Sequence, residues 1–247
     1  MEKYISNMPV WAIVLFIISF ILMLGMIANP FRKAALASGM TVKQSGMVRT
    51  GILVFYLLWL AYASVLSLTG VFDVNALPPR VMMLTAVPLL LILFGIVGNT
   101  ALFKKLLQSS SLESLVFIHV FRFEGVFFLL LAWYKILEPG FAISAGVGDI
   151  LTAILAIPVA RAVARGLPWS KKAVIAWNIL GIMDIVTLMT FAIVGAVKSQ
   201  APGGGEMTTF PFSWFPAFAP ATILFLHAMV FRKLWAEYAG RRLHFNT

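Results

Sequence analysis

An imidazole, a guanidinium and a carboxylate fall close together in FIHVFRFEG (117–125): His119, Arg122 and Glu124, inside one of the most apolar stretches of the chain. Two more acids lie in similar company, Asp149 in AGVGDILT and Asp184 in GIMDIVT, and so do His227 in LFLHAMVF and Asn178 in AWNIL. In hydrocarbon an unpaired charge costs several kcal/mol, so such residues are paired or they serve ions and protons. Carboxylates in this setting bind protons or cations, and Arg122 would act as counter-ion or anion contact. The two histidines are the residues that could ligate a metal ion or a heme iron.

The elements that must position these groups follow from composition. Of 247 residues 61% are hydrophobic and 11% charged, and the mean hydropathy is +0.97, which excludes a water-soluble domain. A helix needs about 20 apolar residues to cross a bilayer. Seven such runs are present, at 9–29, 50–70, 81–103, 111–137, 142–164, 171–197 and 211–235. They predict an all-α fold, a polytopic seven-transmembrane-helix bundle forming a single domain over 1–247. The third span is expected to bend at Pro88. The fourth is bounded by a capping box at 110–113 and by Pro139. Glu2 and Lys3 precede an apolar run too long for a signal-peptide core, so the first segment should remain as a helix. Without cysteine there are no disulfides, thiolate metal sites or cysteine nucleophiles.

The net charge of +10 is distributed by topology. Arg32, Lys33, Lys43, Arg49, Lys104, Lys105, Arg161, Arg165, Lys171, Lys172, Arg232, Lys233, Arg241 and Arg242, fourteen of the nineteen basic residues, flank one set of span ends. The other set holds only Lys3, Arg80, Lys135 and Lys198. The positive-inside rule then places the amino terminus outside and the carboxyl terminus in the cytoplasm, with anionic lipid attracted to the cytoplasmic face. The charge makes no case for nucleic acid.

At about 1.5 Å per residue, Glu124 and Asp184 mark the midpoints of the fourth and sixth spans, with Arg122 and Asp149 nearby in height. His119, Asn178 and His227 fall roughly 7–9 Å toward the cytoplasm. Two polar layers are therefore expected, a central one of Arg122, Glu124, Asp149 and Asp184 and a lower one of the other three. At about 100° per residue Arg122 and Glu124 diverge by about 160°, so each needs a partner on another helix. His119 and Gly125 share the Arg122 face. Glu124 shares its side with Phe117, Val120 and Phe121, company that favours the neutral acid. Asp149 lies in a stripe of small residues with Thr152. Trp177, Gly181 and Thr187 flank Asp184, and Arg122 is expected to pair with Asp149 or Asp184. The segment FPFSWFPAFAP (210–220) adds Trp214 to the lining and, through Pro216 and Pro220, should leave the carbonyls of Phe212 and Pro216 free. The preceding loop, 200–206, reads as an external tether.

Several chemistries lack their residues. A retinal Schiff base needs an intramembrane lysine, membrane zinc hydrolases pair histidines one turn apart in the last helix, and a two-heme cytochrome needs four histidines where this chain has three. HVFRFEG, EPGFAISAGVGD and WNILGIMD resemble an uncharacterised group of bacterial seven-helix membrane proteins, over helices four to seven. The resemblance implies a bacterial cytoplasmic (inner) membrane location and carries no activity. The reading that follows is small-solute or proton/cation-coupled transport, with Asp149, Asp184 and Glu124 as ion or proton sites. The alternatives are a heme or metal redox protein built on His119 and His227, or a seven-helix receptor. No constellation points to an enzyme, and no cofactor is named by the sequence.

Overall fold

An apolar run in a bilayer must close every peptide hydrogen bond within itself, and the helix is the local structure that does so. The computed structural model, which describes residues 2–74, 76–199 and 202–245, bears out the all-α fold with seven helices long and apolar enough to span a membrane. They are Val10–Ala37, Val42–Leu68, Met82–Asn99, Leu112–Trp133, Pro139–Ala164, Ser170–Gly195 and Trp214–Tyr238, the first to seventh spans. The membrane side carrying the amino terminus is called the N side, and the opposite one the C side. Gln200, Ala201 and Thr247 lie outside the described residues.

Several boundaries shift, each for a local reason. The second helix starts at Val42 instead of residue 50, because Thr41 and Gln44 form a reciprocal capping box, with Thr41 Oγ1 accepting from Gln44 N at 3.2 Å and Gln44 Oε1 from Thr41 N at 2.9 Å. The cap of the fourth span is Ser111, which accepts from Ser114 N at 3.1 Å; Glu113 takes no part, and Ser110 instead ends the preceding helix. Glu138 caps the fifth helix, accepting from Phe141 N at 2.6 Å and Gly140 N at 2.9 Å, so that helix begins at Pro139. Those amides hold the Glu138 carboxyl below its ordinary value. The first helix passes through Pro30 and runs to Ala37.

The third span is more irregular than one proline bend. Wide π-type turns at Met82–Ala86 and Ile92–Ile96 flank Val87–Leu91, and the span stops at Thr100 rather than reaching Phe103. Thr100 then caps a separate helix, Ala101–Ser109, which buries Phe103, Leu106 and Leu107 and exposes Lys104 and Lys105 on the C side.

The seventh span is the most enclosed and serves as the hub. Near its N side Phe212, Trp214, Phe215 and Phe218 meet Phe16 and Phe20 of the first span, with ring centroids 4.7 Å apart for Phe16–Phe212 and 5.4 Å for Phe20–Phe218. The Phe212 carbonyl is not free, because Phe215 N donates to it at 3.1 Å. Pro216 falls in the first turn of the helix, where an amide would lack a partner anyway, and only Pro220 is interior. The described part of the expected tether, 202–206, falls in the 3₁₀ helix Pro202–Thr208, with Glu206 and Thr208 buried against the bundle. Phe210 N donates to Tyr4 O and Ser6 N to Phe210 O, both at 2.8 Å, which pins the amino-terminal segment beside it.

Candidate functional site

The fourth span changes geometry where its polar residues lie. Ile118–Gly125 is a 3₁₀ helix between the α-helices Leu112–Phe117 and Val126–Trp133. With three residues per turn, positions three apart eclipse, and the segment resolves into rows. His119, Arg122 and Gly125 form a buried row; Ile118, Phe121 and Glu124 form a second; in the third, Val120 is half-buried and Phe123 exposed. Glu124 therefore does not share a side with Phe117 and Val120 as a 100° step implies. It accepts from Ser19 Oγ of the first span at 3.0 Å and stands apart from the other acids.

Arg122 is the hub. Its side chain is wholly buried, Nε donates to Asp149 Oδ1 at 2.7 Å, and Nη2 donates to Asp184 Oδ2. Nη1 donates to the Gly181 carbonyl at 3.3 Å and faces His227 Nε2 at 3.3 Å. The expected choice between Asp149 and Asp184 thus resolves to both. A guanidinium nitrogen only donates, so Nε2 of His227 is the acceptor and the ring carries its proton on Nδ1, which donates to Asn178 Oδ1 at 2.7 Å. Asn178 Nδ2 returns a bond to the His227 carbonyl at 3.1 Å.

Arg122, Asp149 and Asp184 of the expected central layer are consequently in one network with His227 and Asn178 of the lower one, and Glu124 and His119 stand outside its hydrogen bonds. Side chains tilt toward a helix's own amino terminus, and the fourth span starts on the C side, so Arg122 leans down into the histidine layer. With one guanidinium between two aspartates, the ionised cluster sums to −1, one positive charge short of neutrality.

Glycines make this approach possible. A Cβ on Gly125 would lie 2.5 Å from Asp149 Cβ, and one on Gly146 would lie 2.8 Å from the Gly125 carbonyl, so the fourth and fifth helices touch backbone to backbone. A Cβ on Gly148 would collide with the Asp184 carboxylate, and one on Gly181 with the His227 ring. Gly148 and Ser19 were not singled out by sequence reasoning. The signals were present in GVGD (146–149) and in a lone serine at the midpoint of an apolar span.

On the C side the cluster is closed. His119 and His227 stack with centroids 4.0 Å apart and planes at 34°, and Trp177 packs its face or edge against both rings. Trp177 Nε1 donates to the Thr152 carbonyl at 3.0 Å. The two rings are in van der Waals contact with each other. Among the described residues no three His, Cys, Asp or Glu side chains come together to hold a metal ion. Both ring nitrogens of His119 lack a hydrogen-bond partner among the described residues.

On the N side the cluster is approached by a cavity of about 680 Å³ between spans three to seven, and Asp149 forms part of its wall. Asp149 lies ten residues from Pro139, so the cavity reaches about 15 Å into the membrane, near the midplane. The residues expected to line it do not. Trp177 and Thr152 belong to the C-side seal, Thr187 is exposed on the outer surface of its helix, and Trp214 donates to Ser64 Oγ at 2.8 Å within the aromatic core. The walls are instead apolar side chains such as Met82, Phe128, Phe141, Leu188 and Phe215.

The family model described as Domain of unknown function (DUF8737) matches residues 78–235, a stretch that begins before the third span and contains Arg122, both aspartates, His119, Asn178 and His227. No curated protein and no solved structure matches the chain.

Proposed function

The chain belongs to the family of the domain of unknown function DUF8737, and on that domain's buried charges we propose that this multi-pass membrane protein moves protons or small cations across the bilayer, coupled to a small solute. The observation that carries the reading is the asymmetric access to one ion pair. Asp149, bonded to Arg122 at 2.7 Å, borders a cavity whose lining runs to the N-side ends of the spans at Pro79, Glu138 and Glu206, while the contacting histidines, Trp177 and Asn178 close the C side. A structural staple needs no such opening.

In this account Asp149 receives the proton or cation from the cavity and Asp184 remains the partner of Arg122. Neutralising Asp149 turns a charge-assisted bond into an ordinary one and loosens the tie between the fourth and fifth helices. The 3₁₀ segment is the switching element. Relaxing eight residues from about 120° to about 100° per residue would turn the Arg122 row away from one set of partners. That movement would open the histidine layer as the cavity closes.

The charge bias along the chain supports an orientation with the N side outward, as in a bacterial cytoplasmic membrane, and anionic lipid around the basic C side. A reporter inserted at Gly204 should be external; a cytoplasmic one there inverts the scheme.

The transport reading is tested in proteoliposomes with an entrapped pH dye and, separately, sodium- and potassium-sensitive dyes. An imposed membrane potential should drive proton or alkali-cation flux faster than in protein-free vesicles, and Asp149→Asn should remove the excess. If none of the three ions moves faster with the wild-type protein, the reading fails.

A further inference from the structure

The cavity carries more information than its floor. Its described lining residues include three acids, Glu138, Asp149 and Glu206, and no lysine, arginine or histidine. Two of the acids are already engaged, Glu138 with the amides of Gly140 and Phe141 and Asp149 with Arg122. Glu206 is different. It is 9% exposed, and its Oε1 is buried with no hydrogen-bond partner among the described residues. A carboxylate oxygen left bare in an apolar wall is costly, and a cation in the cavity would satisfy it.

The rest of the wall suits the remainder of such a ligand. Phe128 stacks on Phe215 with centroids 4.2 Å apart, and Phe141 meets Phe128 edge-on at 6.2 Å, which gives an aromatic surface in contact with the space. Aromatic faces attract organic cations, and the volume of about 680 Å³ lies within the span of about 300–1,000 Å³ usual for small-molecule sites. A hydrated metal ion would find too few oxygens here, and an anion would face three acids.

We infer that the N-side cavity binds a lipophilic organic monocation, such as an alkylammonium or arylphosphonium, with its charge at Glu206 and its apolar body against Phe128, Phe141 and Phe215. This rests on the transport reading only in naming the solute of that reading; binding itself requires no ion flux.

The test is equilibrium binding of radiolabelled tetraphenylphosphonium to the purified full-length protein in uncharged detergent, with tetraphenylborate as a probe of the same shape and opposite charge. Saturable binding of the phosphonium at one site per chain, and none of the borate, is expected. Glu206→Gln should weaken it about tenfold or more, since a buried partner charge is lost. Ala192→Trp, which fills the cavity, should abolish it, while Glu113→Gln on the C side should leave it unchanged. Equal binding of both probes, or phosphonium binding indifferent to both Glu206→Gln and Ala192→Trp in monodisperse protein, overturns the inference. Ion flux without phosphonium binding would refute this assignment and leave the transport reading standing; binding without flux would do the reverse.

Discussion

Arg122→Gln removes the one cation that holds two aspartates on different helices. The side chains of Asp149 and Asp184 are 7% and 16% exposed, so both would remain largely cut off from water after the substitution. Removing one partner of a buried pair costs about 3–5 kcal/mol, most of it from the charge left behind. For a chain of this length that corresponds to a fall of about 6–20 °C in melting temperature. The asymmetry between the acids sharpens the test. Asp149 is the more deeply buried, so Arg122→Gln/Asp149→Asn should recover more of the loss than Arg122→Gln/Asp184→Asn. Thermal unfolding in detergent, followed by intrinsic fluorescence, reads all three variants. If neither double variant melts above Arg122→Gln, the pairing is wrong; if the Asp184 double recovers more, the burial argument is.

Ser19→Ala should cost about 1–2 kcal/mol by leaving the Glu124 carboxyl without its donor, whereas Glu124→Gln keeps an acceptor for Ser19 and should melt close to wild type; equal losses in the same unfolding assay would show that the bond is not what holds Glu124. Gly148→Ala should destabilise by about 1–3 kcal/mol, because its Cβ meets the Asp184 carboxylate, while Gly25→Ala, with open space around it, should be neutral or slightly stabilising; a harmless Gly148→Ala in that melt would mean the helices are farther apart. Glu138, whose folded pKa is depressed by two amide bonds, contributes stability that is present above its ordinary value of 4.5 and is lost as pH falls through the folded value. The melting advantage of wild type over Glu138→Ala should therefore shrink as pH drops below about 4.5, and an advantage that grows on acidification would contradict the cap.

Much of the architecture is legible in the sequence because hydrocarbon admits so few backbone solutions. The seven apolar runs become seven helices, and their ends move where caps such as Thr41–Gln44 and Glu138 act, a local chemistry that hydropathy averages away. Arg122 finds the aspartates expected of it because no other buried charges were available in the facing spans. Glu124 goes astray for a definable reason: its face depends on the angular step, and nothing in FIHVFRFEG announces that the segment winds as 3₁₀. The apolar cavity and Glu206 depend on how a glycine-rich connection folds back between spans, a tertiary contact without a periodic signature. His119 lands beside His227 as their depths suggested, yet stacked ring on ring, a relation that helical height cannot specify.

The central claim is that Arg122, Asp149 and Asp184 serve an ion and do more than fasten helices together. The most direct measurement compares wild type with Arg122→Met/Asp149→Asn/Asp184→Asn, a neutral replacement of similar volume, for both melting temperature and potential-driven proton, sodium and potassium flux in proteoliposomes. A buried charge cluster that is only structural can be exchanged for neutral packing with little loss or even a gain in stability. The account predicts a triple variant that melts near or above wild type and has lost the ion flux. A folded triple variant that conducts as well as wild type would contradict it.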